Sequence, residues 1–454
     1  MRVRKDNIDM TIGSALKNII SFSLPLMVSG VLQIFYNIAD KIVAGRCIGS
    51  NALSSVGATG AIYAMIIGFV LGLSTGVNVL VSKCYGAKDT EALKKANNSA
   101  VAMALISGFV LLCLGEVVSR PLLELMGTPG EIIGDSTLYL RIVFLGFPAI
   151  MLSNFCSAIL RGVGNTKISM YAGIVSGAIN VILNFVFVVW FYMGVAGIAL
   201  ATLISNVVSA FILLIYLMKS CETEYKLVIG EIKAYPSEVK NIFSIGMPAA
   251  VQNILSAVSV AFIQSAINSF GGDVIAGQSA AESMENIVMI ANRAFATACI
   301  VAIGQNYGAK NEKRIIRYIY TSLMCVTVWG LVSGILAYVF ARPFLGMFIV
   351  DSPNAIEMGV LYIKYVVVLG FICNIMDILI GAMQGIGHSK KSLACSLIGI
   401  CGGRFVWVFM VLPLFRYVEV LFLSWLVCRV VVIIMHLVLF KLVWRKSMLK
   451  MREN

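Results

Sequence analysis

Charged side chains are scarce in this chain of 454 residues: Asp, Glu, Lys and Arg supply 13%, against about 25% in ordinary globular proteins. Apolar residues supply 59%, and long apolar stretches recur from Ile19 to Phe440 with no soluble-looking block between them. Such a chain cannot hide its apolar surface from water, which excludes a secreted domain, a soluble enzyme and a receptor held by one anchor. No C-x-x-C pair occurs among the eleven cysteines, which are scattered singly and mostly inside apolar segments. They read as small packing residues rather than metal or redox groups. No G-x-x-x-x-G-K-[ST] loop is present, so a nucleotide-driven engine is not expected. The basic N-terminus leads into an apolar segment that carries Gln33, Asn37 and Asp40 and has no convincing cleavage site, and it reads as a retained first helix.

What is present is a series of twelve apolar spans, centred near residues 29, 68, 105, 149, 178, 207, 255, 291, 328, 370, 402 and 430. Each runs about 20 to 27 residues, enough to cross a hydrocarbon core of about 30 Å as a helix. With the first end placed in the cytoplasm, 25 of the 35 basic residues fall on the cytoplasmic side and only 5 on the other. That asymmetry puts both termini inside by the positive-inside rule. It also accounts for the net charge of +13 without nucleic acid as a partner. The expected setting is a plasma membrane, with the lipid bilayer as the main partner.

The longest polar stretch, from Lys219 to Asn241, divides the spans six and six. VSKCYGAKD (Val81 to Asp89) returns as IGQNYGAKN (Ile303 to Asn311), shifted by 222, and RGVGNTK (Arg161 to Lys167) returns as QGIGHSK (Gln384 to Lys390), shifted by 223. Pro25 returns as Pro248, and Arg120-Pro121 as Arg342-Pro343. Four matches in one order indicate an internal duplication. Six spans per copy make both copies enter the membrane in the same direction, so the two halves are expected to be related by a pseudo-twofold axis along the membrane normal. The expected fold is all-α and polytopic: a first lobe over 1–220, a cytoplasmic linker over 221–240 and a second lobe over 241–454. This organisation points to a secondary transporter of small molecules.

Polar residues inside the spans mark where a path would lie. In the first span Ser29, Gln33, Tyr36, Asn37 and Asp40 fall on one helical face. Ser176, Asn180 and Asn184 form a stripe on the fifth, and Thr202, Ser205, Asn206 and Ser209 on the sixth. For the hydroxyl residues, hydrogen bonding between helices is the plainer reading. Asp40 is different, because an intramembrane carboxylate is costly and usually functional, although Lys41 and Arg46 stand nearby as ordinary ion-pair partners. In the second half, Gln252 and Ser256 lie on the seventh span, Glu285 on the eighth and Asp377 on the tenth. There Arg293 or Arg404 could pair with Glu285 or Asp377 for architecture alone. His436 is expected to be packed or hydrogen-bonded rather than a proton relay.

Several of these segments together resemble the multidrug and toxic compound extrusion (MATE) family. They are the Pro25 helix ending FYNIADKIVAG, the SKCYGAKD and GQNYGAKN turns, the RGVGNTK and QGIGHSK turns, and NVILNF followed by GVAGIALAT. The likeness covers about residues 15 to 442. It implies two six-helix lobes, a central cavity opening to either side in turn, and export of organic, often cationic and aromatic, compounds against inward H⁺ or Na⁺. No cofactor beyond that ion and no catalysis are implied, and the working unit is expected to be a monomer.

By the same resemblance, Asp40, Asn180 and Thr202 match the ion-coupling residues of the first lobe and a candidate Na⁺ site. Asn184 departs from the family's pattern, since N-V-I-L-N stands where many relatives have N-x-x-L-D. The departure leaves Asp40 as the only anion there, a poorer cage for a hard cation. Ser256 stands where another branch has a helix 7 Glu, and that branch's helix 10 Asp would fall about one turn before Asp377. Gln33, Tyr36, Asn37, Gln252, Ser256, Glu285 and Asp377 are the expected cavity residues. The alternative function is a flippase for lipid-linked sugars or oligosaccharides, whose basic cavity would use Arg404 and Arg429.

Overall fold

The computed structural model describes residues 7–219, 225–349 and 352–453. Arg2, Arg4 and Lys5 of the expected cytoplasmic basic set, and residues 221–224 of the expected linker, lie outside the described residues. Eleven helices are long and apolar enough to span a membrane, and a bent pair brings the number to twelve among the described residues. We number them α1 (Ala15–Ile48), α2 (Ser50–Gly86), α3 (Thr90–Leu125), α4 (Gly130–Leu145 and Phe147–Gly162), α5 (Lys167–Trp190) and α6 (Gly194–Lys219). The second series is α7 (Pro236–Asn268), α8 (Gly272–Gly308), α9 (Glu312–Val339), α10 (Pro353–Gly385), α11 (Ser389–Leu414) and α12 (Val418–Leu449).

A helix satisfies its backbone internally, which is why the apolar spans take this form in lipid. Large side chains such as Phe35, Val117 and Trp190 are 61%, 74% and 74% exposed, an arrangement suited to lipid rather than water as the solvent. The helices run longer than the apolar spans because polar turn motifs wind into their ends: Ser82 to Gly86 form the last turn of α2. The two parts of α4 meet at 47°, where Pro148 begins the second part without an N–H to donate.

The duplication is visible in backbone detail. Lys88 and Lys310, which correspond by the 222-residue shift, are two of only three non-glycine residues with positive φ among the described residues, at 57° and 56°. Asp89 then caps α3 by accepting from Ala92 N at 2.9 Å, and Asn311 caps α9 by accepting from Arg314 N at 3.2 Å. One sequence pattern has thus produced the same turn and cap twice.

The chain divides into two compact units. The first holds Val28–Gly246 with the described residues up to Ile8, and the second holds Asp9–Met27 and Met247–Asn454. Pro25 and Pro248 stand beside two of the three crossings, after Met27 and after Gly246, and each removes a donor from the helix interior. In the first unit, Ile8 N donates to Gly164 O at 3.1 Å. Gly164 has φ +84°, and a Cβ there would meet Ile8 O at 2.1 Å, so this turn needs glycine. In the second unit the irregular segment before α1 has carbonyls without helical partners. Arg314 donates to those of Met10, Ile12 and Gly13 at 3.0, 2.9 and 3.1 Å, while Met10 N donates to Gln305 Oε1 at 2.8 Å.

Candidate functional site: a buried polar chain in the first unit

Asp40, near the end of α1, accepts a hydrogen bond from the side-chain amide of Asn184 on α5. The same amide lies 3.4 Å from Asn180 Oδ1, one helical turn earlier. Asn180 Nδ2 in turn reaches Thr202 Oγ1 on α6 at 3.5 Å, and Thr202 donates to Ile198 O at 3.1 Å. Three helices therefore contribute one chain of polar groups, with Asn184 fully buried and Asn180 nearly so. The i, i+4 spacing on α5 places both asparagines on one face. Asp40 has a neutral amide as its partner, and neither Lys41 nor Arg46 is paired with it among the described residues. Asn184 Oδ1 is buried with no hydrogen-bond partner among the described residues.

Tyr36, one turn before Asp40, lies over Gly177 of α5. A Cβ at Gly177 would come within 1.8 Å of the ring, and the Tyr36 hydroxyl donates to Ile174 O at 3.3 Å. This close approach holds α1 against α5 beside the polar chain. Gln33 and Asn37, on the same stripe, are exposed.

In the second unit the candidate residues fall into separate places. Gln252 donates to Ser396 Oγ on α11 at 2.8 Å, while Ser256 turns back to Gln252 O at 2.8 Å. Glu285 takes the hydroxyl of Tyr362 at 2.6 Å rather than an arginine, and the Tyr362 ring packs edge-on against Phe422. Asp377 lies within electrostatic reach of Arg429 and Arg293. Arg404 donates to Ser259 at 3.1 Å and stacks on Trp425. Both ring nitrogens of His436 have partners at 2.9 Å, Ser392 Oγ and Val432 O. Sequence reading had Ser259 beside Gln252 and Ser256 on the seventh span, but missed Tyr362 and Ser396, which are single polar residues in apolar stretches with no period to expose them.

A duplicated, all-helical, multi-pass membrane protein with a polar chain buried across three spans has the architecture of a membrane transporter. The chain belongs to the MATE family: the MatE family model matches residues 25–186 and again 248–410. The two matches begin at Pro25 and Pro248, at the repeat shift read from the sequence. The chain is 28% identical over 392 residues to the probable multidrug resistance protein YpnP of Bacillus subtilis, covering 86% of this chain and 87% of that one. It is 24% identical over 404 residues to the probable multidrug resistance protein NorM of Thermotoga maritima, covering 88% and 86%. The structure of a multidrug resistance MATE family transporter in an outward-facing conformation shares the fold, with a TM-score of 0.88, 21% identity and 99% of each chain covered.

Proposed function

We propose that this protein exports organic compounds, cationic and aromatic ones among them, in exchange for inward H⁺ or Na⁺ by alternating access. In this reading it works as a single chain in the plasma membrane with both termini in the cytoplasm, and needs no cofactor beyond the coupling ion. The names of the relatives support export, and the observation that carries the coupling is the bond between Asp40 and Asn184. A carboxylate held by a neutral amide is free to gain and lose a proton without breaking an ion pair. Ionised, Asp40 accepts from the Asn184 amide. Protonated, it becomes a donor, and a half-turn of the Asn184 side chain presents the unpartnered Oδ1 to receive it. The neutral form is far cheaper to desolvate, so the two states favour different placements of α1 and a proton gradient shifts their populations.

The test is Asp40→Asn in proteoliposomes with an imposed pH gradient. The variant should fold and bind substrate but fail to use the gradient for export. Full gradient-driven export by this variant would remove Asp40 from the mechanism.

A further inference from the structure

Arg404 of α11 is 5% exposed inside the second unit, and its neighbours do not balance its charge. It donates to the Ser259 hydroxyl on α7 at 3.1 Å, and its guanidinium lies 5.1 Å from the ring centroid of Trp425 on α12. Its Nε is buried with no hydrogen-bond partner among the described residues. The ionisable groups that act on it are Arg429, of the same sign, and the thiols of Cys428, Cys401 and Cys373. Glu285 and Asp377 act on Arg429 instead. Of these two guanidinium groups, Arg429 faces carboxylates, whereas Arg404 has a hydroxyl, an aromatic face and a vacant N–H. A buried cation so placed is costly unless an anion arrives. The local backbone is irregular as well: Arg404 lies in the short α-helical segment Gly403–Val406, between two π-helical stretches, Leu397–Gly402 and Trp407–Val411, a departure that often accompanies function.

We propose that Arg404, with Ser259 and Trp425, is a binding site for the anionic group of a transported organic compound, a carboxylate, sulfonate or phosphate. The planar guanidinium suits an oxyanion because its N–H groups diverge as a fork. Trp425 holds the plane from below, and Ser259 fixes one Nη, leaving the Nε edge for the ligand. The substrate class then extends to amphoteric compounds. The assignment to a transported compound rests on the export reading above; the anion site itself does not.

The experiment uses the purified full chain in detergent and two fluorescent probes, rhodamine B, which carries a free carboxylate, and its ethyl ester, which does not. Arg404→Gln should weaken rhodamine B at least tenfold and change the ester less than twofold. Arg404→Lys, which keeps the charge if the Gln variant does not fold, should fall between. Equal losses for both dyes, or no loss for rhodamine B, would overturn the proposal. A second arm titrates sodium chloride and sodium phosphate at constant ionic strength and reads tryptophan fluorescence, to which Trp425 contributes. A saturable change in the wild type that Arg404→Gln abolishes, with rhodamine B displaced in parallel, supports the site. The same saturable change with rhodamine B behaving like its ester would mean an inorganic anion as occupant and overturn the assignment to a transported compound. Failure of both dyes to bind the wild type would sink the export reading, and the anion titration would still decide for or against Arg404.

Discussion

Asn184 of α5 donates its side-chain amide to the carboxylate of Asp40 on α1. An aspartate in place of Asn184 could not do this. The contact joins the one carboxylate of the first unit's polar stripes to a residue that can both donate and accept. It also sets the first prediction.

Asn184→Asp brings a second carboxylate against Asp40, and two such groups in contact repel unless a proton or cation lies between them. The second anion also makes a better cage for a hard cation. The variant should therefore gain Na⁺ dependence, with transport in proteoliposomes rising several-fold on adding Na⁺ while the wild type shows a smaller response. Unchanged Na⁺ dependence and an unchanged pH profile in a well-expressed variant would show that this face is not the ion site.

Gly177→Ala tests the contact that holds α1 beside that site. Its Cβ would overlap the Tyr36 ring, so the ring must move and its bond to Ile174 O must break. The expected loss is about 1–3 kcal/mol, as for other overpacked sites. It should be visible as a lowered midpoint in thermal unfolding of the detergent-solubilised protein. Adding Tyr36→Ala should recover part of it, so that the two changes are non-additive by about 0.5–3 kcal/mol. Strict additivity would mean that the two residues do not meet.

How much of this was legible beforehand follows from distance along the chain. The twelve spans, the twin turns and their caps depend on short-range pattern, so YGAKD and YGAKN marked the same turn twice, while the left-handed lysines and capping side chains within it came only from the structure. The polar stripes on α1, α5 and α6 were equally readable, because helical spacing fixes a face. Which faces meet was not readable from spacing. The order Asp40, Asn184, Asn180, Thr202 depends on the rotation and depth of three helices. The same is true of Tyr36 over Gly177, Glu285 with Tyr362, and Arg404 with Ser259 and Trp425. The anchoring of the segment before α1 by Gln305 and Arg314 joins residues some 300 positions apart, with no local signal at either end.

The basic asymmetry of the loops gives the third prediction, that both termini and the segment before α7 are cytoplasmic. Ser352 would be a natural outer probe, but its hydroxyl accepts from Ala355 N at 3.1 Å and donates to Asp273 at 2.7 Å, and losing such a cap costs about 1 kcal/mol. Tyr192, 86% exposed between α5 and α6, is the better choice. On a cysteine-depleted background, an impermeant thiol reagent added outside sealed cells should label Tyr192→Cys and miss the exposed Ser237→Cys. Labelling of Ser237→Cys in intact cells would invert the topology.

The last prediction concerns charge movement. If Asp40 carries one proton inward per cycle, exporting a monovalent cation moves no net charge, and the membrane potential should not affect the rate or the final gradient. A compound that also carries a carboxylate, held at Arg404, leaves with no net charge, so the same single proton then makes the cycle electrogenic. One elementary charge crossing about 100 mV is worth about 2.3 kcal/mol, or about 50-fold in the attainable gradient. Proteoliposomes with a valinomycin-set potassium potential and a fixed pH difference should therefore show potential-dependent export of rhodamine B and potential-independent export of its ethyl ester. Potential dependence for the ester as well would require more than one proton per cycle, and the second carrier would have to be sought among Glu285 and Asp377, since the first unit's stripes offer no other carboxylate.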